Sequence, residues 1–385
     1  MRVGYGRRTL ALPGLDLFAY SAFLAGGVGR HTSPELSTIV AGKSVSLGFV
    51  VDDDALVFSA RTSPRDLEFG LKLIAAYLTD PAYRADSLGE ARVIISTEYA
   101  QMNTAPGGQI FSRLERLLSG DARFGLPESD QLGALSLERL AAWLGPQLKS
   151  GPLEVALVGD LSWDDAAGAV ARTLGALPAR EPRVAAGPAI VRIRPPKGVE
   201  RFTSGPQVRY ASSAVVFPAG DVYSGRQERA CVVLAAVLQE MLRVGLREDL
   251  GATYSPSVVF SRHRAFPGLA YFMISADTLP VDLGKVPPII ARTVLAIQKD
   301  GVPAELFDRI RQTTSRDVED DSRTNRYWLG NVLASLQQYP DRVVDARNLT
   351  KDYAAVTRAE PQQLALRYFD GTTSHSFVAL PPANR

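Results

Sequence analysis

The chain of 385 residues has a single cysteine, Cys231, and three histidines, His31, His263 and His375. One cysteine excludes an internal disulfide framework. Cys231 lies within an apolar helical stretch and reads as a small buried hydrophobe. No two histidines are near enough in sequence to put paired imidazole ligands on one helical face. No apolar run reaches the length of a membrane span. An excess of one charge is missing too. The 43 basic and 41 acidic residues leave a formal net charge of +2. That balance gives no reason to expect nucleic acid or an anionic membrane surface as partner. There is no Gly-x-Ser-x-Gly elbow and no Walker loop. Gly26 to Gly29 lacks the preceding strand and following helix of a dinucleotide loop.

What is present is core-forming material. The chain is 46% hydrophobic and 22% charged, enough for two domains with sizeable cores. Its start, basic through Arg8 and mostly apolar from Leu10 to Gly26, superficially resembles a secretory signal. Pro13, Gly14 and Asp16 interrupt that run, so a short strand or loop followed by a helix over Leu15 to Ala25 fits better, with Gly26-Gly27 as its stop. Ser33-Pro34 reads as an N-cap with proline in the first turn. Residues 43–51 and 55–60 form a hairpin around Asp52-Asp53-Asp54, taken as a solvated turn because the distal Glu of a calcium loop is absent. Helices are expected from Ser63-Pro64 to about Leu78, over Leu88 to Met102, Gln109 to Leu118, Leu137 to Leu148 and Asp164 to Leu174, with a strand at Leu153 to Val158.

Pro182, Pro188, Pro195 and Pro196 mark a semi-stiff linker over 181–199. It divides a first domain, 1–180, from a second, 200–385. The second domain repeats the order of the first. A strand over Tyr210 to Phe217 and a long apolar helix over Arg229 to Met241, with Val232, Val233, Ala236, Val237 and Met241 at helical spacing, come first. Strands at Thr253 to Phe260 and Leu269 to Ala276 follow, then helices at 283–299, 305–317, 327–338 and 359–368 and a last strand at Ser374 to Leu380. Each domain is expected to be α+β, an antiparallel sheet with helices packed on one face. The charged run from Arg311 through Arg316, Asp317, Glu319, Asp320, Asp321, Arg323 and Arg326 reads as a solvated helix end.

The most specific stretch is Leu246-Arg247-Glu248-Asp249-Leu250-Gly251-Ala252-Thr253-Tyr254-Ser255. Gly251 stops the long helix, so Arg247 falls at a helix C-terminus and Tyr254 at the start of the next strand. A guanidinium and a phenol could then reach the same space, where one fixes a carbonyl or carboxylate and the other meets an oxyanion. The competing reading is that Arg247 caps helix carbonyls and Tyr254 is a half-buried strand aromatic.

This stretch resembles the Arg/Tyr segment in the C-terminal half of the pitrilysin/insulinase family of zinc peptidases, the inverzincins. The layout of both domains is similar to that family, and most similar to the second half of its bacterial branch. The resemblance implies the processing-peptidase/LuxS-like metallohydrolase fold. It also implies that Arg247 and Tyr254 bind peptide substrate at the zinc site of a partner half.

The zinc motif of the family, His-x-x-Glu-His, is missing. At its positions the first helix offers Phe18, Ser21 and Ala22, and Glu98 lies where the third ligand would fall. The expectation is a chain with no metal and no catalytic residue of its own, inactive alone. Zinc would sit in a partner half, whether in the same longer polypeptide or a separate subunit. The resemblance also implies that the chain begins late for a family domain, with the N-terminal strand missing. A non-enzymatic scaffold of the same fold, like the core proteins related to processing peptidase, is the alternative. The sequence is compatible with a periplasmic or a cytoplasmic home.

Overall fold

The computed structural model describes residues 1–183, 189–222, 224–251 and 256–382. Its first elements are β1 (Arg2–Val3), α1 (Leu15–Ala22), α2 (Ser33–Val40), β2 (Val45–Val51), β3 (Leu56–Thr62), α3 (Leu67–Thr79) and α4 (Ser87–Thr104). Then come α5 (Gly108–Phe111), α6 (Leu114–Ser119), α7 (Leu137–Ser150), β4 (Leu153–Glu154) and α8 (Trp163–Arg172). Beyond the linker follow β5 (Val199–Thr203), β6 (Ala211–Pro218), α9 (Gly225–Leu250), β7 (Pro256–Arg262) and β8 (Ala270–Thr278). The chain continues with α10 (Val286–Asp300), α11 (Ala304–Ser322), α12 (Asn325–Tyr327), α13 (Asp341–Ala354), α14 (Ala359–Tyr368) and β9 (His375–Leu380).

The α+β class expected from the sequence is the one observed. Two compact units form. One holds Met1–Glu98, Leu126–Gly187 and Thr324–Val343; the other holds Tyr99–Gly125, Pro188–Arg323 and Val344–Arg385. Relative to a single cut at the linker, residues 99–125 cluster with the second unit and residues 324–343 with the first.

The first unit has an antiparallel sheet in the order β2-β3-β1-β4. The short strand β1 lies between β3 and β4, pairing Arg2 with Val57 and Glu154. Phe49 and Phe58 face each other across β2 and β3, and Phe23, just past α1, stacks on Phe49 with ring centroids 4.4 Å apart. These buried aromatics seat α1 on the sheet. The second unit has five strands in the order β5-β9-β6-β8-β7, antiparallel except for the β5–β9 pair. Alternate residues of β6 feed two cores. Val215 and Phe217 meet Leu234, Leu238 and Leu242 of α9, while Ala214 and Val216 meet Ile110, Leu114 and Leu118 of α5 and α6.

Several local expectations need correction. The N-cap of α2 is Thr32 rather than Ser33. Thr32 and Glu35 close a reciprocal capping box, which the sequence Thr-x-x-Glu would have signalled. The Asp52-Asp53-Asp54 turn is not simply solvated. Arg2 binds Asp52 at 2.7 Å and also Asp54, Arg7 binds Asp53 at 2.6 Å, and Asp54 is buried. Those cations lie far off in sequence, so the turn itself gave no sign of them. The helix expected over 109–118 is broken into α5 and α6, and the strand expected over 153–158 is paired only at Leu153–Glu154. Helix α9 starts earlier, capped by the Ser224/Gln227 box. The 327–338 helix includes a π-helical turn at Trp328–Val332, and α13 was not anticipated.

Candidate functional site

Helix α9 is built to hold its C-terminal end in place. Leu234, Leu238, Leu242 and Leu246 recur every four residues and are all fully buried. Arg229 near its start is buried as well, paired with Asp352 of α13 at 2.5 Å and donating to the Asp345 carbonyl at 2.5 Å. At the other end Gly251 takes φ 90°, where a side chain is disfavoured, and its N–H donates to the Arg247 carbonyl at 3.0 Å.

The expected site residue Arg247 is exposed, one position beyond the buried Leu246. Its neighbours are engaged with one another. Arg243 hydrogen-bonds Glu240, Arg309 reaches the same carboxylate at 3.1 Å, and Asp249 pairs with Arg292 at 2.6 Å. The Arg243 bond, with Arg309 adding to it, holds the Glu240 carboxyl down at about 2. Arg247 pairs with no carboxylate among the described residues. A guanidinium binds planar carboxylate and carbonyl groups through its forked donors.

Tyr254, the expected companion, lies outside the described residues. The structure does fix the strand that follows it. The Gln239 side chain of α9 acts like a strand edge toward β7. Its amide donates to the Pro256 carbonyl, and its carbonyl accepts from Val258 N–H at 2.7 Å. Gln239, which ends the unbroken apolar run from Ala230 to Leu238, was the available signal for this anchor. Farther into the same core, burial pushes the Cys231 thiol up to about 12.

The four positions matched to a zinc site do not fit a metal. Phe18, Ser21 and Ala22 of α1 are 3%, 4% and 1% exposed, packed into the first unit. Phe18 and Ala22 carry no donor atom. The Ser21 hydroxyl donates to the carbonyls of Leu17 and Phe18 in its own helix, at 3.0 and 3.1 Å. Glu98 of α4 is half-buried. The carboxylate that shares a cavity wall with Ser21 is instead Glu90, about two helical turns earlier. Among the described residues no three His, Cys, Asp or Glu side chains stand close enough to hold a metal ion.

Each histidine has a local setting. His31 is exposed, and its carbonyl accepts from Arg84. Arg84 also donates to the carbonyls of Gly26 and Gly29 at 2.8 and 2.5 Å, so one guanidinium ties down the glycine-rich turn. His263 Nε2 lies 2.7 Å from Glu115 of α6, and Tyr271 donates to the same oxygen at 3.2 Å. His375 is buried in β9 and stacked on Phe377. The charged run at 311–326 is exposed apart from Arg311, Val318, Ser322 and the 314–315 pair, which are half-buried, with Arg323 bound to Glu319 at 2.7 Å. No helix among the described residues is long and apolar enough to cross a membrane.

Comparison with known proteins joins these observations. Residues 134–314 match the family model of the Peptidase M16 inactive domain. A stretch of 131 residues is 26% identical to the chloroplastic stromal processing peptidase of Pisum sativum, covering 32% of this chain and 10% of that protein. The fold matches the peptidase M16 inactive domain from Pseudomonas fluorescens with a TM-score of 0.79 at 20% identity, over 100% of this chain and 92% of the other. It also matches the periplasmic protease PqqL of Escherichia coli, with a TM-score of 0.76 at 16% identity. That match takes 99% of this chain but 42% of PqqL, so the chain spans less than half the length of that protease. At such identities these two structures establish the fold alone. The match at residues 134–314 makes that stretch similar to the peptidase M16 inactive domain, the family that the sequence resembles.

Proposed function

We propose that this chain is the zinc-free, substrate-binding half of an M16-type peptidase, acting on peptides together with a zinc-bearing half. The observation that carries this reading is Arg247. It is an exposed guanidinium with no carboxylate partner among the described residues, at the end of a helix whose apolar face is buried. The helix fixes the backbone from which that cation reaches a peptide carbonyl or carboxylate, which is how a positioning group works. Tyr254 is its expected companion, as a donor to the oxyanion. The packed α1 positions support the division of labour, because Phe18, Ser21 and Ala22 leave the metal to the other half.

The test is reconstitution. The chain alone, then mixed with a candidate half bearing His-x-x-Glu-His, is assayed for peptide cleavage with and without chelator. The expected result is cleavage only in the mixture, abolished by chelator. In that mixture Arg247→Ala lowers turnover by about a hundredfold while assembly is unchanged. Unchanged turnover for both Arg247→Ala and Tyr254→Phe would instead make the chain a scaffold subunit.

A further inference from the structure

Helix α2 carries Leu36, Ile39 and Val40, yet none of its eight residues is buried. It stands off from the rest of its unit and roofs a cleft of about 510 Å³. That is within the range of roughly 300–1,000 Å³ that holds small ligands. The walls are aliphatic, from Leu24 after α1, Leu36 and Val40 of α2, Val45 and Leu47 of β2, and Leu73 of α3. No described residue fills the space, and nothing in the peptidase reading uses it.

The polar groups of the lining share one property. A backbone carbonyl can only accept, so a hydroxyl bonded to one must donate its proton. Ser21 donates to Leu17 and Phe18, Ser37 to the Ser33 carbonyl at 3.0 Å, and Tyr77 to the Leu24 carbonyl at 2.9 Å. With their protons so engaged, these oxygens have only acceptor capacity left. The one charged lining residue is Glu90, an exposed carboxylate that makes no ion pair among the described residues. Ser33 is the single lining hydroxyl with no such bond among the described residues.

A cleft with aliphatic side chains, acceptor oxygens and one unpaired carboxylate in its walls is complementary to a donor-rich cation on an apolar body. We propose that this cleft binds a small amphipathic amine, a primary ammonium ion with an aliphatic or aromatic body. The body occupies the aliphatic walls beneath α2. The ammonium group meets Glu90 and the hydroxyl oxygens. An anionic analogue of the same shape is rejected, because it would face a carboxylate and acceptors with no donor but Ser33.

The experiment is a titration of the full chain with hexylammonium chloride, hexan-1-ol and sodium hexanoate, followed by calorimetry and by NMR shifts of the α2 and β2 amides. Saturable binding of hexylammonium is expected, with hexanol about tenfold weaker and hexanoate not saturating. Glu90→Gln, a change at an exposed position, is expected to weaken hexylammonium about tenfold and leave hexanol unchanged. Ser37→Phe, which fills the cleft from the exposed helix, is expected to abolish both. Equal affinity for hexanol and hexylammonium, no effect of Glu90→Gln, or no saturable binding would each overturn the proposal. None of these readouts involves peptide cleavage, so it stands or falls independently of the peptidase reading.

Discussion

Tyr339 donates its phenol proton to Asp54 Oδ2 at 2.5 Å, on a carboxylate whose other oxygen is taken by Arg2. The three residues are 2, 54 and 339 in the chain, yet they form one buried polar knot in the first unit. Burial, with the Asp54 charge adding to it, pushes the Tyr339 phenol above its ordinary range, so it stays a donor at any working pH. Gln337 reinforces the knot, giving its N–H to Glu154 at 2.8 Å. Tyr339→Phe removes the donor and leaves a buried carboxylate oxygen without its partner. A loss of about 1–3 kcal/mol is expected. Urea denaturation measures it, and hydrogen exchange should show faster opening of residues 335–340 in the variant.

Adjacent positions at the end of α9 are expected to separate structure from function. Leu246 is fully buried and Arg247 is exposed. Leu246→Ala leaves a cavity in the α9 core and should cost about 2–5 kcal/mol. Arg247→Ala should change stability by less than about 0.5 kcal/mol. Thermal denaturation of the two variants checks this. A large loss for Arg247→Ala would mean that its guanidinium supports the fold, and its effect on turnover would then say nothing about substrate.

His375 gives the second unit a pH dependence of known sign. Burial lowers its pKa below the ordinary histidine value, against a weaker opposing pull from the Arg194 carbonyl and Glu200. The unfolded chain therefore takes up a proton at a pH where the folded chain does not. Stability is full above about pH 6.5 and declines as pH falls from there toward the lowered folded value. His375→Phe, which keeps an aromatic beside Phe377, should flatten that decline. Denaturation midpoints of both proteins between pH 7.5 and 5 test it; parallel curves would show that His375 carries none of the slope.

What the sequence made legible were features with local causes. The apolar run Arg229 to Met241 is helical by spacing, although the face it buries runs through Leu234, Leu238, Leu242 and Leu246 rather than Val232, Ala236 and Met241, and Gly251 ends that helix by the backbone freedom of glycine. The β2–β3 hairpin followed from alternation around a turn. The absence of donor atoms at Phe18 and Ala22 could be read directly from residue type. What stayed hidden depended on partners far along the chain. The Asp54 site needed Arg2 and Tyr339, and α13 is fastened through Asp345 and Asp352 to Arg229 and Arg264. Its own sequence is only weakly amphipathic.

Strand β9 follows all other strands in the sequence, yet it sits inside the second sheet, between β5 and β6. A nascent chain emerging N-terminus first therefore displays β6 with one edge vacant through the synthesis of α9 to α14. The backbone groups of Ser212 to Val216 that β9 later satisfies stay open during that interval. Strand β5, whose one sheet neighbour is β9, has nowhere to dock. The sheet closes only when residues 375–380 leave the ribosome, through pairings more than 150 residues apart in the chain. Such late, non-local closure is slow. It makes the half-built protein a natural client for chaperones and, when translation stalls, a seed for edge-to-edge aggregation.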